Sequence, residues 1–155
     1  MINTKENFYY NSPIGIFEFQ IYENKLISLK PSEKIGLSSK ENELSKKIRH
    51  QLDEYFSNKR KYFDIPILLK GTPFQKNVWE ELKKIPYGKT SNYQEIANKI
   101  NNKNAQRAVG NSCNKNPILI IIPCHRVIPK SGKLGGFAYN NKIKEFLLNL
   151  ESRTC

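Results

Sequence analysis

Cysteine, acidic residues and long apolar runs are all scarce in this sequence. The 155 residues include three cysteines, Cys113, Cys124 and Cys155, which are too few and too unevenly placed for a disulfide framework. Reduced thiols are therefore expected, and a reduced thiol can act as a reagent. No apolar run approaches the roughly 18 residues that a membrane span needs, and the polar, aromatic first eleven residues do not resemble a signal peptide. We expect a cytoplasmic protein without membrane contact.

The shortage of acidic residues leaves a formal net charge of +12, and this charge is unevenly distributed. Residues 1–70 carry +3 and residues 71–155 carry +9. Such a field attracts polyanions, nucleic acid first and acidic membrane second. Lysine codons of an AT-rich genome would produce the same excess without any function. Charge alone therefore leaves nucleic-acid binding as one of two open interpretations.

The first seventy residues are predicted to form a small antiparallel sheet and one helix. Residues 8–10, 16–22 and 26–29 are extended segments, and the second and third are predicted to pair as a hairpin that turns at Glu23 and Asn24. Ser38 and Glu41 fit a capping box, and apolar residues then recur at helical spacing at Leu44, Ile48, Leu52, Tyr55 and Phe56. Residues 66–71 are predicted to connect this unit to a second one.

Residues 71–155 are predicted to be mostly helical. Thr72, Pro73 and Gln75 form a second capping box, and Ser91 with Gln94 is predicted to cap a further helix. Asn104 is then predicted to cap a short helix over residues 105–113, which makes the pair a helix-turn-helix candidate. Many helix pairs that never contact DNA share this pattern.

A buried apolar segment follows, and it leads to a cysteine and a histidine. Residues 118–122 are five consecutive large apolar residues, which must be buried, and they deliver Cys124 and His125 to the edge of a core. The last helix has apolar residues at helical spacing, and it ends near the surface at Glu151. A carboxylate at such a helix end is expected to contribute little to folding.

The Cys124-His125 pair fits a nucleophile and its base. Because a free thiol is only slightly ionised at neutral pH, a nucleophilic cysteine needs a base, and adjacent side chains are expected to exchange the proton through a bridging water. The alternative is a buried core cysteine beside a surface histidine. A metal site is not expected, since the sequence has no CxxC pair and His50 is its one other histidine.

Residues 122–128, Ile-Pro-Cys-His-Arg-Val-Ile, resemble the active-site signature of the O6-alkylguanine-DNA alkyltransferases, also called methylated-DNA–protein-cysteine methyltransferases. The resemblance extends from Phe74 to Glu151, about half of the chain. The matching segments are Phe74-Gln75 with Val78-Trp79, Ile85-Pro86-Tyr87-Gly88, Ser91-Asn92-Tyr93-Gln94, Arg107-Ala108-Val109-Gly110-Asn111, Asn116-Pro117 and Leu147-Leu148.

The resemblance implies an α+β fold with two domains. Residues 1–70 would form a ribonuclease H-like domain with a small antiparallel sheet and a helix, and residues 71–155 a winged-helix-like domain with the helix-turn-helix. The implied function is single-turnover DNA repair without a cofactor. A monomer would bind the minor groove of double-stranded DNA that contains O6-alkylguanine, flip the damaged base out, and take its alkyl group irreversibly; O4-alkylthymine is the expected second substrate.

The resemblance also implies roles for the catalytic residues. Cys124 would be the nucleophile and alkyl acceptor, His125 the water-relayed base, and Glu151 the carboxylate that orients His125. Asn116 would brace the segment that carries the cysteine. Tyr93 would hydrogen-bond to N3 of the leaving guanine and help to turn the nucleotide out.

A second set of residues would hold the DNA. Arg107 would fill the gap that the flipped base leaves in the stack. Backbone groups of Cys124, Val127 and Ala138 would read the base edge, and Phe137 would stack on the base. Phe137 stands where the family usually has tyrosine, so one hydroxyl of the base pocket is lost.

Two other classes of function compete with this interpretation. A helix-turn-helix regulator would bind DNA without chemistry, which leaves Cys124-His125 unexplained. A cysteine hydrolase would use Cys124, His125 and Glu151 on a small molecule, which leaves the charge and Arg107 unexplained. Permanent gain of an alkyl group from DNA is expected of the alkyltransferase alone.

Overall fold

A computed structural model of the chain describes residues 4–132 and 141–152. The chain divides after Leu69 into two compact units. Within the described residues, no helix has the length and apolar character needed to cross a membrane.

The first unit contains the expected three-stranded antiparallel sheet. Strands β1 (Glu6–Ser12), β2 (Gly15–Tyr22) and β3 (Lys25–Pro31) pair in chain order. Glu23 and Asn24 have φ angles of 49° and 60°, as a two-residue turn between twisted strands requires. The side chains that alternate along β2 bury Phe17, Phe19 and Ile21.

Helix α1 (Glu43–Phe56) supplies the remaining part of this core, with Leu44, Ile48, Leu52 and Tyr55 buried. The predicted capping box of Ser38 and Glu41 is wrong. Asn42 is the N-cap: its side chain accepts from the Ser45 amide at 2.8 Å, and the Ser45 hydroxyl accepts from the Asn42 amide at 2.8 Å. Glu41 instead pairs with Arg49, at 2.9 Å.

The segment predicted to be a plain connection begins as part of the first unit. The Leu26 amide donates to the Pro66 carbonyl at 2.9 Å, and the Leu68 amide donates to the Leu26 carbonyl at 3.0 Å. These two bonds attach residues 66–68 to β3 as a short parallel bridge.

The described part of the second unit contains helices α2 (Pro73–Leu82), α3 (Tyr93–Lys99), α4 (Gln106–Asn114) and α5 (Asn141–Ser152), and a 3-10 turn at Cys124–Arg126. The Thr72–Gln75 capping box of α2 is present as predicted. The indole nitrogen of buried Trp79 donates to the Ser112 carbonyl at 2.8 Å, which ties α2 to α4.

Helices α3 and α4 form the expected helix pair, but both predicted caps are wrong. Asn92, one residue after Ser91, caps α3 by accepting from the Glu95 amide at 2.9 Å. Ser91 lies in a parallel bridge with Val127 instead. Helix α4 begins after Ala105 without a side-chain cap, so Asn104 does not have that role.

Candidate active site

Cys124 lies at the end of a buried, tightly wound segment. Residues 119–121 form a turn, with Ile120 at a φ of 72°, and the apolar run 118–122 is not an extended strand. Asn116, itself 1% exposed, donates from its side-chain amide to the Ile122 carbonyl at 2.7 Å and accepts from the Ile118 amide at 2.9 Å. The Cys124 amide donates to the same Ile122 carbonyl at 2.8 Å. Asn116 therefore holds the turn that positions Cys124.

The Cys124 thiol is buried and protonated at neutral pH. Burial raises its pKa to about 11, although a hydrogen bond from Asn116 and the charge of Lys144 act in the opposite direction. A thiol in this state is a weak nucleophile, so it requires a base when it reacts.

His125 and Glu151 are brought together by the 3-10 turn and the last turn of α5. His125 Nε2 lies 2.7 Å from Glu151 Oε2, and both side chains are almost fully buried. The expectation that Glu151 lies near the surface is therefore wrong. It was based on the position of Glu151 at a helix end, whereas α5 turns this end inward against residues 124–126.

Arg126 is a third member of this cluster, and its role was not predicted from the sequence. Its Nε and Nη2 atoms donate to Glu151 Oε1 and Oε2 at 2.7 and 2.9 Å. A bidentate arginine–carboxylate pair is among the strongest hydrogen-bonded ion pairs in proteins. The position of Arg126 within the signature heptapeptide was the one available signal.

The charges of the cluster follow from these contacts. Burial would raise the pKa of Glu151, but hydrogen bonds from His125 and Arg126 outweigh it and hold this pKa well below its usual range. Burial lowers the pKa of His125, and Glu151 offsets this only in part. The resting site therefore contains a carboxylate and a neutral imidazole.

The carboxylate determines which ring nitrogen of His125 carries the proton. An ionised carboxylate can only accept, so Nε2 must be the donor to Glu151. In a neutral imidazole, Nδ1 is then the acceptor. His125 Nδ1 is buried and has no hydrogen-bond partner among residues 4–132 and 141–152. The arrangement can thus receive a proton at Nδ1.

Lys144 is a second buried charge that was not predicted from the sequence. Its side chain is 1% exposed, and Nζ donates to the Val127 carbonyl at 2.7 Å. Lys144 lies one and two helical turns before Leu147 and Glu151 on α5, so its spacing places it on the inward face. Val127 is also buried, and its amide donates to the Cys124 carbonyl at 3.2 Å. Phe137 and Ala138 lie outside the described residues.

Tyr93 and Arg107 line one open groove of about 400 Å³ on the α3–α4 face. Tyr93 is partly buried, and this burial is the main cause that raises its pKa to about 12. Arg107 is exposed. The groove is completed by Gln106, Gly110, Asn111, Asn114 and Pro129. In the described part of the chain, no group of three or more histidine, cysteine or acidic side chains could hold a metal ion.

Comparison with known proteins gives matches along nearly the whole chain. Residues 7–69 match the family model of the 6-O-methylguanine DNA methyltransferase ribonuclease-like domain, and residues 73–153 match that of its DNA binding domain. A methylated-DNA–protein-cysteine methyltransferase of Methanosarcina acetivorans is 53% identical over 109 residues, 70% of each chain. The constitutive enzyme of that name from Bacillus subtilis is 47% identical over 104 residues, 66% of this chain and 63% of its own length.

Solved structures agree with the sequence matches. The O6-methylguanine methyltransferase of Mycobacterium tuberculosis is 36% identical and superposes with a TM-score of 0.90, covering 98% of this chain and 95% of its own. A structure titled as the same organism's OGT in complex with DNA is 38% identical, with a TM-score of 0.86 over 95% of this chain and 92% of its own.

These matches define a class of DNA-repair transferases with an N-terminal ribonuclease-like domain and a C-terminal DNA-binding domain. The chain belongs to the 6-O-methylguanine DNA methyltransferase family. The family, the α+β fold class and the enzyme class predicted from the sequence are confirmed.

Proposed function

We propose that this protein binds damaged double-stranded DNA, takes the alkyl group from O6 of guanine onto the sulfur of Cys124, and does so once per molecule. The observation that carries the proposal is the buried Cys124-His125-Glu151 arrangement in a chain of this family. O4-alkylthymine is proposed as a second substrate, because it presents the same alkyl–oxygen bond on a base.

The transfer exchanges one bond for another. The proton of the Cys124 thiol passes through a water to His125 Nδ1, and the sulfur attacks the alkyl carbon. A carbon–sulfur bond forms as the bond from that carbon to O6 breaks, and its electron pair remains on guanine. The imidazolium of His125 is balanced by Glu151, 2.7 Å away. The proton lost by the thiol finally belongs to the guanine product.

Tyr93 is proposed to neutralise the charge that develops on guanine. A poor leaving group needs a donor beside it, and a hydroxyl whose pKa is raised to about 12 remains protonated at neutral pH. We assign this hydroxyl to N3 of the base and to the neighbouring phosphate during base extrusion.

The remaining roles concern DNA. Helix α4 is proposed to enter the minor groove, with exposed Arg107 filling the gap left by the flipped base. Asn116 is assigned to the support of the Cys124 turn. Backbone groups of Cys124, Val127 and Ala138 are proposed to read the base edge, and Phe137 to stack on it. One monomer suffices for this reaction.

The product explains why each molecule acts once. The alkyl group ends in a thioether, which has no activated bond for water to attack. His125 and Glu151 can move protons, but they cannot make the thioether carbon electrophilic again.

The mass of the intact protein tests the proposal. The full chain is incubated with a duplex that contains one O6-methylguanine, and a duplex with unmodified guanine is the control. We expect each protein molecule to gain one methyl group, which peptide mapping locates on Cys124. Binding without a mass change would support a regulator that only binds DNA, and a methyl group on Cys113 would contradict the assigned nucleophile.

A further inference from the structure

We propose that Arg126 is a positioning residue for alkyl transfer: its guanidinium keeps Glu151 an ionised acceptor, which holds His125 as the neutral tautomer with Nδ1 open to the Cys124 proton. The inference rests on the proposed function, because it gives a reason for the state of the base in that reaction.

The guanidinium is held on three sides. Nε and Nη2 engage the two oxygens of Glu151 at 2.7 and 2.9 Å, and Nη1 donates to the Ile85 carbonyl at 2.7 Å. The ring of Tyr87 lies 5.7 Å from Cζ. These contacts fix the orientation of the planar Arg126 guanidinium. The guanidinium in turn fixes the plane of the Glu151 carboxylate.

The contacts of Glu151 require an ionised carboxylate. Oε1 receives Arg126 Nε and, at 3.4 Å, the Gly88 amide, and Oε2 receives Arg126 Nη2 and His125 Nε2. The arginine and amide groups can only donate. A protonated Glu151 could give its O–H to His125 Nε2 only if the imidazole changed tautomer, and Nδ1 would then carry the hydrogen. Arg126 opposes that change.

Arg126 also disfavours a second unproductive state, in which His125 is already protonated before the Cys124 thiol gives up its proton. Within residues 4–132 and 141–152, the charged groups that act on His125 are Glu151 and Lys144 on α5 and Arg126 beside it in the chain. The titratable thiol of Cys124 is its other chain neighbour. Glu151 alone favours the imidazolium, whereas the Arg126 and Lys144 cations disfavour it. Without Arg126, the buried carboxylate would draw a proton onto His125, and an imidazolium cannot accept the proton of the thiol.

A purely structural role for Arg126 has a different signature. Arg126 joins Ile85 and Tyr87 to Glu151 of α5, so its loss is expected to lower stability in either case. If support were its only role, substitution would lower the rate by the same factor at every pH. If it controls His125, substitution moves the acid limb of the pH–rate profile.

The first test measures the tautomer in the intact wild-type protein. Nitrogen NMR of ¹⁵N-histidine-labelled protein is expected to show His125 at neutral pH with a proton on Nε2 and none on Nδ1. Exposed His50 is the other histidine, and a His50→Gln variant assigns the signals. A proton on His125 Nδ1 in the resting protein overturns the proposal. This result does not depend on alkyl transfer from DNA, so it separates failure of this inference from failure of the proposed function.

The second test compares Arg126→Gln with Arg126→Lys, using the pH dependence of the reaction with O6-benzylguanine. In Arg126→Gln, loss of the nearby positive charge is expected to raise the pKa of His125, which moves the acid limb of the pH–rate profile up by about one pH unit. At a pH below the limb the reaction is then roughly tenfold slower than in the wild type. At a pH above the limb the two rates are equal. Arg126→Lys retains the charge and should shift the limb less. If the rate of Arg126→Gln is lower but the acid limb of its pH–rate profile does not move, Arg126 has only a structural role. If Arg126→Gln does not fold, the profile of Arg126→Lys and the wild-type tautomer decide.

Discussion

The two units bury different kinds of side chain. Nine polar or charged residues are buried among the described residues, and the first unit holds two of them, the neutral Ser45 and Gln51. Its ion pairs, such as Arg49–Glu41 and Arg60–Glu54, lie at positions that keep a quarter or more of each side chain exposed. Among the described residues, the second unit buries the acidic and basic side chains of His125, Arg126, Lys144 and Glu151, in addition to the thiols of Cys113 and Cys124.

The buried residues of the first unit are of the kind that stabilises a fold, and those of the second unit are of the kind that supports chemistry. Removing an ion pair from water costs several kcal/mol per ion, and apolar side chains of similar volume are often the more stable choice. The first unit follows that rule, because its interior contains the stacked rings of Phe8 and Phe19 and the apolar face of α1. The second unit departs from the rule around Cys124, where we propose that the buried charges control proton positions.

The largest expected effect comes from the reactive sulfur itself. Cys124→Ser should abolish gain of the alkyl group from methylated duplex while leaving duplex affinity nearly unchanged, because the sulfur contributes chemistry and no phosphate contact. Intact mass and a binding titration measure the two properties. Cys113→Ser is the matched control, since Cys113 is also a buried thiol of this unit. Full repair by Cys124→Ser would refute the mechanism.

Glu151→Gln should affect both repair and folding. The side chain retains its shape but leaves His125 without its counter-charge and Arg126 as a buried cation without its carboxylate, so repair at neutral pH slows. Breaking a buried ion pair costs roughly 3–5 kcal/mol, well above the effect of a surface charge. Urea unfolding and single-turnover rates measure the two losses, and Glu145→Gln, on an exposed position of α5, is the control.

The pH dependence of unfolding gives this substitution a second readout. The pKa of Glu151 is depressed on folding, so its contribution to stability is complete above its unfolded pKa of about 4.5 and is lost as the pH falls below that value. Glu151→Gln should lack this part of the acid dependence. Equal acid slopes for the two proteins would contradict an ionised, paired Glu151.

Arg107→Ala should have a smaller effect that depends on the substrate. Extruding a base from the stack costs a few kcal/mol, and a side chain that fills the gap offsets part of this cost. Repair of duplex DNA is therefore expected to slow about tenfold or more, while the reaction with free O6-benzylguanine stays unchanged. Lys115→Ala, exposed just after α4, controls for loss of positive charge. Equal losses on both substrates would argue against the assigned role.

Periodicity predicted most of the fold because it records which face of an element is buried. The alternation of Phe17, Phe19 and Ile21 and the helical spacing of Leu44, Ile48 and Leu52 correspond to the observed core. Caps were predicted less well. Serine and asparagine occur close together before α1 and α3, and the cap used depends on where the first buried turn begins, which is a property of packing.

The sequence predicted the reactive cysteine and its histidine, but it did not predict their electrostatic surroundings. A lysine or arginine is ordinarily exposed, and this expectation outweighed two weak signs of burial. These signs are the helical spacing of Lys144 with Leu147 and the position of Arg126 in the signature heptapeptide. The ion pair of Arg126 with Glu151 joins residues 25 positions apart, and only the packing of α5 brings them together. The same fact explains why Glu151 was wrongly placed near the surface.

The smallest expected effect tests the corrected cap in the apolar first unit. Asn42→Ala removes the side chain that accepts from the Ser45 amide at 2.8 Å, and loss of such a cap costs about 1 kcal/mol. Asn42 also donates to Glu6 at 3.2 Å, so Asn42→Ser is the companion variant: it keeps a cap acceptor and loses that donor. Ser38→Ala, at the exposed position that the sequence favoured, should change little. We would compare the free energies of unfolding of all three variants in urea. If Ser38→Ala lowers the free energy of unfolding as much as Asn42→Ala does, Ser38 is the cap. If only Asn42→Ala lowers it, a neutral local hydrogen bond stabilises this unit without any buried charge.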